Sequence, residues 1–527
     1  MPTAWWTRSF TRRISMALNS LGRTIPDSFA GSKLIPYQDP WSLMPHTLRA
    51  TRPTKRIPHN DRKVLSGIRE AIIASGLKDG MTISTHHSLR NGDYVLNQVI
   101  REIDALGIRD IRIASSSIHP VHAEIIPAIR KGVITSLECG VNGLIGELIS
   151  KGELSCPVIV RSHGGRARAL ITGEVGVDVA FLAAPCCDDY GNFNGFSGPS
   201  ACGSLGYAMV DAQHARTVVA LTDNLVPYPA VPVGISQSVV DYVVAVESIG
   251  DPAKIVSTTT RITTDPIGLQ IAKHAAQVIE SSGLLKDGFS FQTGTGGISL
   301  AVAEQVRGLM RRGNIRGSFG CGGITGHFVD MLEEGLFQAL FDVQCFDLKA
   351  VESIARNRNH QEISATMYAN PFNSGAVVNR LDCVILSATE VDVDFNVNVN
   401  TESNGYLLHN TGGHSDTAAG AKLSIIVAPS IRGRLPIIRD EVTTITTPGE
   451  TVDVVVTERG IAVNPRHPEL KAELLRRRAP VKEIRELRDE IYELTGVPRP
   501  LEFEDDVVGL VEYRDGSIID VIRRVKE

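Results

Sequence analysis

Apolar and polar residues alternate along most of the chain in the two patterns expected of amphipathic helices and short buried strands. Residues 64–76 carry apolar side chains at helical spacing, and the apolar run 81–84 has the length of a strand. The same patterns predict a helix over 93–106 and strands over 108–114, 157–161, 177–184 and 217–222. Because strands and helices alternate, we expect an α/β fold with mostly parallel sheets that helices cover on both faces.

The stretch 282–297, SGLLKDGFSFQTGTGG, predicts a polar turn, a strand and a glycine-rich loop. An amphipathic helix is predicted to follow from Ile298. Glycines let backbone N–H groups turn toward a ligand, and the first turn of a helix favours negative charge. We therefore predict an anion site in this loop. Its residues are Thr293, Gly294, Thr295, Gly296 and Gly297.

An internal repeat relates the two halves of the chain. The segment 75–84, SGLKDGMTIS, has the same form as the stretch that leads into the glycine loop. Three more segment pairs follow in the same order: 131–134 with 334–337, 177–182 with 381–386, and 194–195 with 404–405. A period of about two hundred residues is too long for a solenoid and fits two related domains.

The repeat and a polar linker at 250–266 define the expected domains. We predict an N-terminal arm over 1–60, a first domain over 61–255, and a second domain over 256–527 that ends in a charged helical extension. The arm is rich in Pro, Arg, Ser and Trp, and its first acidic residue is Asp27. This composition is shared with transit peptides, but a flexible arm is the simpler interpretation.

Composition and charge narrow the function classes. The net charge is −5 and the pI is near 6.3, so no domain-wide basic field exists to attract nucleic acid or an anionic membrane. No apolar run approaches the roughly 20 residues of a membrane span. The eight cysteines form no CxxC pair and have no histidine at ligand spacing, which predicts reduced thiols, no metal site and a cytoplasmic location.

In the first half, the candidate chemistry lies in three loops that follow predicted strands. The first contains His86, His87 and Arg90, the second follows the strand VIVR, and the third is 188–198, DDYGNFNGFSG. Neighbouring side chains point in different directions, so one of the two adjacent histidines must face away from any site. The second loop combines cationic donors with glycines that allow close backbone approach, as a carboxylate or phosphate site requires. Its residues are His163, Gly164, Gly165 and Arg166.

The second loop of the first half also has a structural interpretation. His163 and Arg166 could cap a helix or pair with Glu174 instead of binding a ligand.

In the second half, the candidate loops are 294–297, 320–323 and 396–416. Alternating Val and Asn residues at the start of the last segment predict a strand with one polar face, which needs partners unless it faces solvent. Neither glycine loop has the GxxxxGK[ST] or GxGxxG register, so nucleotide hydrolysis and hydride transfer are disfavoured.

Several long motifs together resemble the alpha subunits of citrate lyase, from Val64 to the C-terminus. They are HHSLRNGDY, VIVRSHGGRARA, GNFNGFSGPSACGSLGYAMVDA, DGFSFQTGTGG, NVNVNTESNG and TGGHSDTAAGAKLSI, in the order of that family. The resemblance implies two tandem CoA-transferase-like domains, in agreement with the internal repeat. It also implies conversion of an acetyl acyl-carrier-protein thioester and citrate to the citryl thioester and acetate.

The resemblance further implies partners. These are a beta subunit that cleaves the citryl thioester and a gamma subunit, the acyl carrier protein, in a hetero-oligomer. The carrier's prosthetic group is a phosphoribosyl-dephospho-CoA, for which acetyl-CoA is a candidate surrogate, and the alpha subunit itself binds no cofactor. The glycine loop, with Gly412 and Gly413, is expected to bind this prosthetic group.

One departure from related transferases bears on the mechanism. Many of them carry a catalytic glutamate shortly after the glycine loop, where this chain has only SFGCGG at 318–323. We therefore expect no glutamyl intermediate and a direct attack of citrate on the thioester, through a mixed anhydride in a ternary complex. The expected oxyanion donors are the backbone N–H groups of Gly296, Gly297, Gly322 and Gly323. His163, Arg166 and Arg90 are expected to hold citrate carboxylates, and Cys321 to be passive.

Glu402 is another candidate position for a catalytic carboxylate. The sequence Glu402-Ser403-Asn404-Gly405 resembles the Glu-Asn-Gly motif of covalent transferases but lies far beyond the glycine loop. We expect Glu402 to line the site and to orient Asn404 or a substrate hydroxyl, with surface exposure as the alternative. Two other functions stay open: a covalent CoA-transferase that uses Glu402, and a non-catalytic scaffold that binds an anion.

Overall fold

The computed structural model describes residues 15–29, 32–41, 63–256 and 261–526. The N-terminal residues form strands β1 (Met16–Leu18), β2 (Thr24–Pro26), β3 (Ser28–Phe29) and β4 (Ser32–Lys33). The strands of the first half are β5 (Val64–Leu65), β6 (Thr82–Ser84), β7 (Ile111–Ile113), β8 (Ile134–Leu137), β9 (Val158–Arg161), β10 (Val179–Ala183), β11 (Cys186–Asp188), β12 (Phe193–Asn194), β13 (Thr217–Thr222), β14 (Leu225–Val226) and β15 (Tyr242–Ala245). Its helices are α1 (Ile68–Ser75), α2 (Val95–Ala105), α3 (Ile125–Arg130), α4 (Leu144–Ser150), α5 (His163–Thr172) and α6 (Gly206–His214).

The second half begins with a helix. Its helices are α7 (Pro266–Ser281), α8 (Gly297–Gly313), α9 (Gly326–Glu333), α10 (Leu348–Arg356), α11 (Ala365–Ala369), α12 (His414–Gly420), α13 (Pro468–Arg476) and α14 (Ile484–Thr495). Its strands are β16 (Ser290–Thr293), β17 (Gly317–Ile324), β18 (Phe337–Cys345), β19 (His360–Glu362), β20 (Cys383–Ser387), β21 (Glu390–Asp392), β22 (Val397–Asn398), β23 (Leu423–Val427), β24 (Ile431–Arg432), β25 (Leu435–Pro436), β26 (Ile438–Arg439), β27 (Val454–Thr457), β28 (Gly460–Val463), β29 (Phe503–Glu512) and β30 (Ile518–Val525).

The local sequence explains where the helices begin and which faces they bury. Asp265 accepts a hydrogen bond from the backbone N–H of Gly268, and Pro266 opens α7 at a position where its missing N–H costs nothing. In α2, Val95, Val99 and Ile103 recur at helical spacing and are buried against the sheet. The helix predicted over 93–106 is therefore present as α2, with shorter bounds than the sequence indicated.

Each half is built on one large sheet, and the two sheets have the same strand order. The first runs β8-β7-β6-β10-β13-β15-β5 with every pair parallel. The second runs β19-β18-β17-β16-β20-β23-β27-β28, parallel except for its last pair. From β8 and β18 onward, the first six strands correspond one to one. The predicted fold class, two tandem α/β domains with mostly parallel sheets, is confirmed.

The turns before corresponding strands also match. Gly80 and Gly288 precede β6 and β16, and both have the positive φ that favours glycine, 80° and 87°. One predicted pair is wrong, however. Asn194 lies in β12, and the residue in its place in the second half is Asn398 of β22, not Asn404. The short motif Asn-Gly recurs by chance because turns favour it in any fold.

The last two strands return to the first half of the sequence. β29 and β30 form an antiparallel hairpin, and β29 pairs in parallel with β9. Buried ion pairs secure this contact: Glu512 accepts hydrogen bonds from Arg161 and Arg168, both at 2.9 Å. The predicted charged extension is present as α13 and α14, but the chain then ends in this hairpin, which the sequence did not indicate. The domain limits themselves stay a prediction.

Part of the predicted arm packs on the terminal hairpin. Ile25 is fully buried in a cluster with Leu510 and Ile518, and Tyr37 packs edge to face on Tyr513 with ring centroids 5.0 Å apart. Burial of these side chains orders residues 15–29 and 32–41, so the prediction of a flexible arm is wrong for them. The remainder of the arm lies outside the described residues. Among the described helices, none is long and apolar enough to cross a membrane.

Candidate functional site

The first loop of the site follows β6 and separates the two adjacent histidines as expected. His86 is buried with both ring nitrogens engaged, Nδ1 with the hydroxyl of Ser88 at 2.9 Å and Nε2 with the carbonyl of Ala183 at 3.2 Å. His87 faces the other way and bonds through Nδ1 to Ser116 Oγ at 2.6 Å. His86 therefore holds the loop together, and the side chain available to a ligand is His87.

His87 belongs to a group of aromatic rings drawn from four segments. Its ring centroid lies 4.8 Å from that of Tyr207 on α6, 5.8 Å from that of His163 at the start of α5, and 5.6 Å from that of His119 after β7. Nε2 of His119 is buried without a hydrogen-bond partner. We call these four residues the histidine cluster.

The histidines of this cluster are held uncharged. Burial, reinforced by neighbouring histidines and Arg90, keeps the pKa of His87 well below its usual value. Burial likewise lowers the pKa of His119 and of His163, each to about 3. At neutral pH these side chains offer N–H donors and lone pairs but no positive charge.

Arg90 supplies the positive charge beside the cluster. Its guanidinium lies over the ring of Phe346, with Cζ 4.8 Å from the centroid, and its Nη1 is buried without a hydrogen-bond partner. Its backbone has a φ of 52°, which is rare for a residue other than glycine. The amide of Gln344 donates to the carbonyl of His87 at 2.8 Å. The second half of the chain thus supports the loop from behind, while the cation has a free donor for an anion.

Arg166, another predicted site residue, forms a buried ion pair within the protein. Its Nη2 donates to Asp211 at 2.6 Å in a buried ion pair and also to the carbonyl of Ala114. Glu174, the partner considered in the structural interpretation, bonds to Arg161 and Arg168 instead. Nη1 and Nη2 of Arg166 are thus committed to Asp211, while Nε is buried without a hydrogen-bond partner. A role of Arg166 in holding citrate stays a prediction.

The start of α5 meets a loop of the second half. Ser162 caps the helix by accepting from the N–H of Gly165 at 2.9 Å. The N–H of His163 donates to the carbonyl of Gly412 at 2.8 Å. A methyl group on Gly413 would lie 2.4 Å from the hydroxyl oxygen of Tyr368, so this loop packs closely. His163, Gly164, Gly412 and Gly413 are therefore brought together across the two halves.

The glycine loop follows β16, as predicted. Thr293 ends the strand, the N–H of Gly294 donates to the carbonyl of Ile385 at 3.0 Å, and Gly296 precedes the first residue of the 17-residue helix α8. The first N–H groups of a helix have no partner within it. The buried hydroxyl of Ser299 has no hydrogen-bond partner either, and it lies 3.7 Å from the position of a Cβ on Gly294.

The second glycine segment is not a loop. Residues 320–323 lie within β17, which pairs with β18 and has an irregular register between Gly322 and Gly323. Aromatic rings explain the glycines: a Cβ on Gly320 would lie 2.6 Å from Phe328, and one on Gly323 would lie 1.7 Å from Phe346. Since the ladder to β16 ends at Gly320, Gly322 and Gly323 have one edge that β16 leaves open. Their role as oxyanion donors stays a prediction.

Gln292 connects the two glycine segments with the loop of Gly413. Its amide donates to the hydroxyl of Tyr368 at 2.8 Å and accepts a weak hydrogen bond from the thiol of Cys321 at 3.4 Å. Burial raises the pKa of Cys321, so the thiol stays protonated. This agrees with a passive Cys321.

Glu402 and Asn404 lie on an exposed turn. The amide of Asn404 donates to the carboxylate of Glu402 at 3.1 Å, so Glu402 orients Asn404 as expected, but at the surface. Asn398 and Asn400, which precede this turn, are fully buried. Their amides donate to Glu390 at 2.9 Å and to the carbonyl of His409 at 3.0 Å. The polar face is therefore internal, and its predicted strand is reduced to the short β22.

Three residues of the site were missed by the sequence analysis. His119 follows β7, the neighbour of β6, and the position of a loop at the carboxyl end of an adjacent strand is a signal that could have found it. Tyr207 lies in α6, within the motif GNFNGFSGPSACGSLGYAMVDA, but its helical spacing is that of a core residue. Phe346 follows β18, and no local motif distinguishes it from core residues. In the described ranges, no three His, Cys, Asp or Glu side chains meet as metal ligands.

Comparison with known proteins gives consistent results. A family model of the citrate lyase alpha subunit matches residues 61–525. The citrate lyase alpha chain of Klebsiella pneumoniae is 52% identical over 466 residues, which cover 88% of this chain and 92% of that protein. That of Escherichia coli strain K12 is 51% identical over 468 residues, which cover 89% of this chain and 92% of that protein.

Solved structures agree with the sequence relatives. A crystal structure of the alpha subunit of citrate lyase from Streptococcus mutans, in complex with citrate, matches with a TM-score of 0.93 and 49% identity, and covers 97% of this chain and 100% of that one. The alpha subunit of a malonate decarboxylase from Acinetobacter baumannii, 15% identical with a TM-score of 0.61, shares the fold over 82% of this chain and 93% of its own. The chain therefore belongs to the family of citrate lyase alpha subunits.

Proposed function

We propose that this chain transfers the thioester of an acyl carrier protein from acetyl to citrate, giving the citryl thioester and acetate. As a citrate lyase alpha subunit, it is the CoA-transferase component of a complex with other subunits. The proposed partners are the beta subunit, which cleaves the citryl thioester, and the gamma subunit, the acyl carrier protein with its phosphoribosyl-dephospho-CoA group.

The observation that carries this proposal is the free donor of Arg90 beside the histidine cluster. Arg90 is partly exposed, but its buried Nη1 has no partner, which is costly, and an anionic ligand removes that cost. Citrate has three carboxylates, which suit one permanent charge and several neutral N–H donors arranged around it. The relative from Streptococcus mutans was solved in complex with citrate, which supports this assignment.

The thioester is assigned to the glycine loop of the second half. The first turn of α8 offers backbone N–H groups at Gly296 and Gly297, and the unpartnered hydroxyl of Ser299 lies beneath them. Such a site suits the phosphate groups or the carbonyl oxygen of a CoA-like thioester. The contacts through Gln292 and Tyr368 join it to the loop of Gly412 and Gly413.

The proposed reaction has two displacements. A citrate carboxylate oxygen attacks the acetyl carbonyl of the thioester and the C–S bond breaks. The carrier thiolate departs, and an acetyl–citryl anhydride is formed. The thiolate then attacks the citryl carbonyl of the anhydride, whose C–O bond breaks to release acetate. No net proton is taken up or released. Catalysis rests on holding both reactants in one cleft and on stabilising the oxyanions.

The site favours this route over a covalent enzyme intermediate. Strand β17 carries no carboxylate, and the thiol of Cys321 is buried and protonated. Asp416 is fully buried behind Gly164, with hydrogen bonds to Ser162 and to the N–H of Gly164. Glu402 lies on its exposed turn.

The test is acyl exchange by the complete chain with acetyl-loaded carrier protein and citrate, followed by mass spectrometry of product and protein. We expect citryl thioester, an unmodified chain, and equal rates for wild type and Glu402→Gln. A hydroxylamine-sensitive adduct on the chain, lost in Glu402→Gln, would establish the covalent alternative. Citrate binding without any exchange would establish a scaffold.

A further inference from the structure

Three consecutive residues at the start of α5 are bound by one segment of the second half. The hydroxyl of Ser162 donates to Asp416 Oδ1 at 2.9 Å, and the N–H of Gly164 donates to Asp416 Oδ2 at 2.8 Å. Between them, the N–H of His163 donates to the carbonyl of Gly412. Asp416 lies in α12 and its carboxylate is fully buried. The first turn of a helix in one half is thus fixed by a side chain of the other.

The packing around this carboxylate is tight. A Cβ on Gly164 would lie 2.1 Å from the carbonyl oxygen of Ala369 and 2.6 Å from Asp416 Oδ1. Arg514, on the turn of the terminal hairpin, places Nε 3.6 Å from Asp416 Oδ1 and donates through Nη2 to Ala369 at 3.3 Å. The carboxylate therefore meets α5, α11 and the hairpin at one point, and a shift of Asp416 would move all three.

We propose that Asp416 is a positioning residue for the transfer reaction, which fixes the ring of His163 against the Gly412–Gly413 loop. This inference rests on the proposed function of the site. His163 begins α5, and its ring lies 4.6 Å from that of Tyr207 in the histidine cluster. Asp416 forms its hydrogen bonds with Ser162 and Gly164, on either side of His163, and so acts on the His163 ring through the helix.

The role requires a carboxylate and not only a polar side chain of the same shape. Both oxygens of Asp416 accept a hydrogen bond, whereas an asparagine amide has one acceptor and one donor group. In Asp416→Asn, the amide oxygen can accept from Gly164 only if the NH₂ group faces Ser162, whose hydroxyl must then accept instead of donate. The substitution thus reverses one hydrogen bond and removes the negative charge beside Arg514 without a change in side-chain volume.

Because Asp416 can be protonated, the inference predicts that kcat depends on pH. Burial raises the pKa of Asp416 to about 6, against a lowering by Arg514 and by the bonds from Gly164 and Ser162. The titratable groups that face it are Arg514 and Tyr513 from the turn of the terminal hairpin, Tyr207 from α6 and Tyr368 from α11. The carboxylate is ionised at pH 7 and loses one acceptor as the pH falls through about 6.

The experiment compares wild type with Asp416→Asn in the complete chain, with acetyl-loaded carrier protein. We expect kcat to fall by about 10- to 100-fold because the reacting groups are misplaced, while the dissociation constant of citrate changes less than about threefold. The ratio of wild-type to variant kcat should shrink as the pH is lowered from 7 to 5. Titration of citrate itself affects both proteins equally and cancels in this ratio.

Asp453→Asn is the matched control. Asp453 is another buried carboxylate of the second half that accepts a backbone N–H, from Ser424 at 2.7 Å, and it lies outside the site. We expect wild-type kcat and an unchanged pH profile. If Asp416→Asn does not fold, Ser162→Ala and Ser162→Thr replace it. The alanine variant should lower kcat and the threonine variant should restore it.

Wild-type kcat in Asp416→Asn, or equal losses in kcat and citrate affinity with an unchanged pH profile, would overturn the inference. A second measurement distinguishes a failure of this inference from a failure of the proposed function. The ring resonance of His163, assigned by its loss in His163→Gln, should shift in Asp416→Asn and not in Asp453→Asn. That shift is expected even if the wild-type chain transfers no acyl group, and its absence would also count against the positioning role.

Discussion

Without ligand, a protein with glycine in place of Arg90 should be at least as stable as wild type. Citrate, however, should no longer stabilise it against unfolding. The backbone of Arg90 has a φ of 52°, a conformation that glycine adopts without steric cost. Its Nη1 is buried without a hydrogen-bond partner. The substitution therefore removes backbone strain, an unpartnered donor and the proposed ligand for citrate at the same time.

The size of the stability change follows from these features. The left-handed backbone costs a residue other than glycine about 1–2 kcal/mol, and a buried unpartnered donor costs about 1–3 kcal/mol. Two losses reduce this gain in stability. The greater freedom of glycine in the unfolded chain costs about 0.5–1 kcal/mol, and loss of the contact with Phe346 costs about 1 kcal/mol. We expect the free energy of unfolding of Arg90→Gly to exceed that of wild type by about 0–3.5 kcal/mol.

Arg478→Gly is the matched control. Arg478 follows α13 with a φ of 58° and is exposed, so its substitution relieves the same backbone strain without changing a buried charge. The difference in the free energy of unfolding between the two variants isolates the buried guanidinium of Arg90.

The assay is thermal unfolding with and without citrate, together with calorimetric titration. Citrate at a thousand times its dissociation constant adds about 4 kcal/mol to the stability of wild type and of Arg478→Gly. Loss of a buried charged partner costs about 2–5 kcal/mol of binding, so Arg90→Gly should bind citrate about 30- to several-thousand-fold more weakly. The order of melting temperatures should therefore invert when citrate is added.

Two results would refute this reasoning. If Arg90→Gly were less stable than Arg478→Gly without ligand, the guanidinium of Arg90 would be a structural contact and not an unsatisfied one. If citrate raised the melting temperature of both variants equally, the citrate site would lie elsewhere.

Three further substitutions test the fold and the proposed site, including the glycine loop assigned to the thioester. Gly323→Ala places a methyl 1.7 Å from the ring of Phe346, so the free energy of unfolding should fall by about 1–3 kcal/mol in denaturant titrations and KM for citrate should rise. Gly296→Ala meets nothing within 4 Å, so stability should change by less than about 0.5 kcal/mol while KM for the acetyl thioester rises. Glu512→Gln leaves Arg161 with a weaker buried partner and should cost about 3–5 kcal/mol.

Controls accompany these variants. Gly67→Ala adds a methyl in open space outside the site, with extended backbone, and should leave both stability and KM unchanged. Glu504→Gln removes a half-exposed ion pair with Arg524 and should cost less than about 1 kcal/mol. An unchanged thioester KM in Gly296→Ala would remove the glycine loop from the proposed site, and a stable Glu512→Gln would show that the hairpin does not depend on its buried charges.

The repeated fold could be predicted from the sequence because its signals are local. Apolar spacing defines the helices and strands within windows of a few turns, and the turn that leads into β6 recurs before β16. The pairing of β29 with β9 could not be predicted in this way. It joins residues such as Arg161 and Glu512, which are 351 positions apart, and no local pattern distinguishes this partner from any other strand.

The candidate site was predictable to the same extent. His87, His163 and the glycine loop lie in motifs that follow strands, where α/β sheets bind ligands. The ion pair of Arg166 could not be predicted because it joins two elements: a guanidinium three residues into α5 can meet a ligand or a buried carboxylate, and Asp211 lies on another helix. The sequence shows the donor but not which acceptor the fold brings to it.

The duplication accounts for the place of the proposed site between the halves. Although the two sheets share one strand order, the first half supplies the cation and the imidazoles, and the second supplies the glycine loop at the start of α8. In the proposed function, the first set binds the tricarboxylate and the second binds the thioester, so neither half alone would suffice. The proposed direct transfer through an anhydride needs the two reactants in van der Waals contact. The contacts of Gln344 with His87, of Phe346 with Arg90 and of Asp416 with Gly164 hold the two halves together at this place.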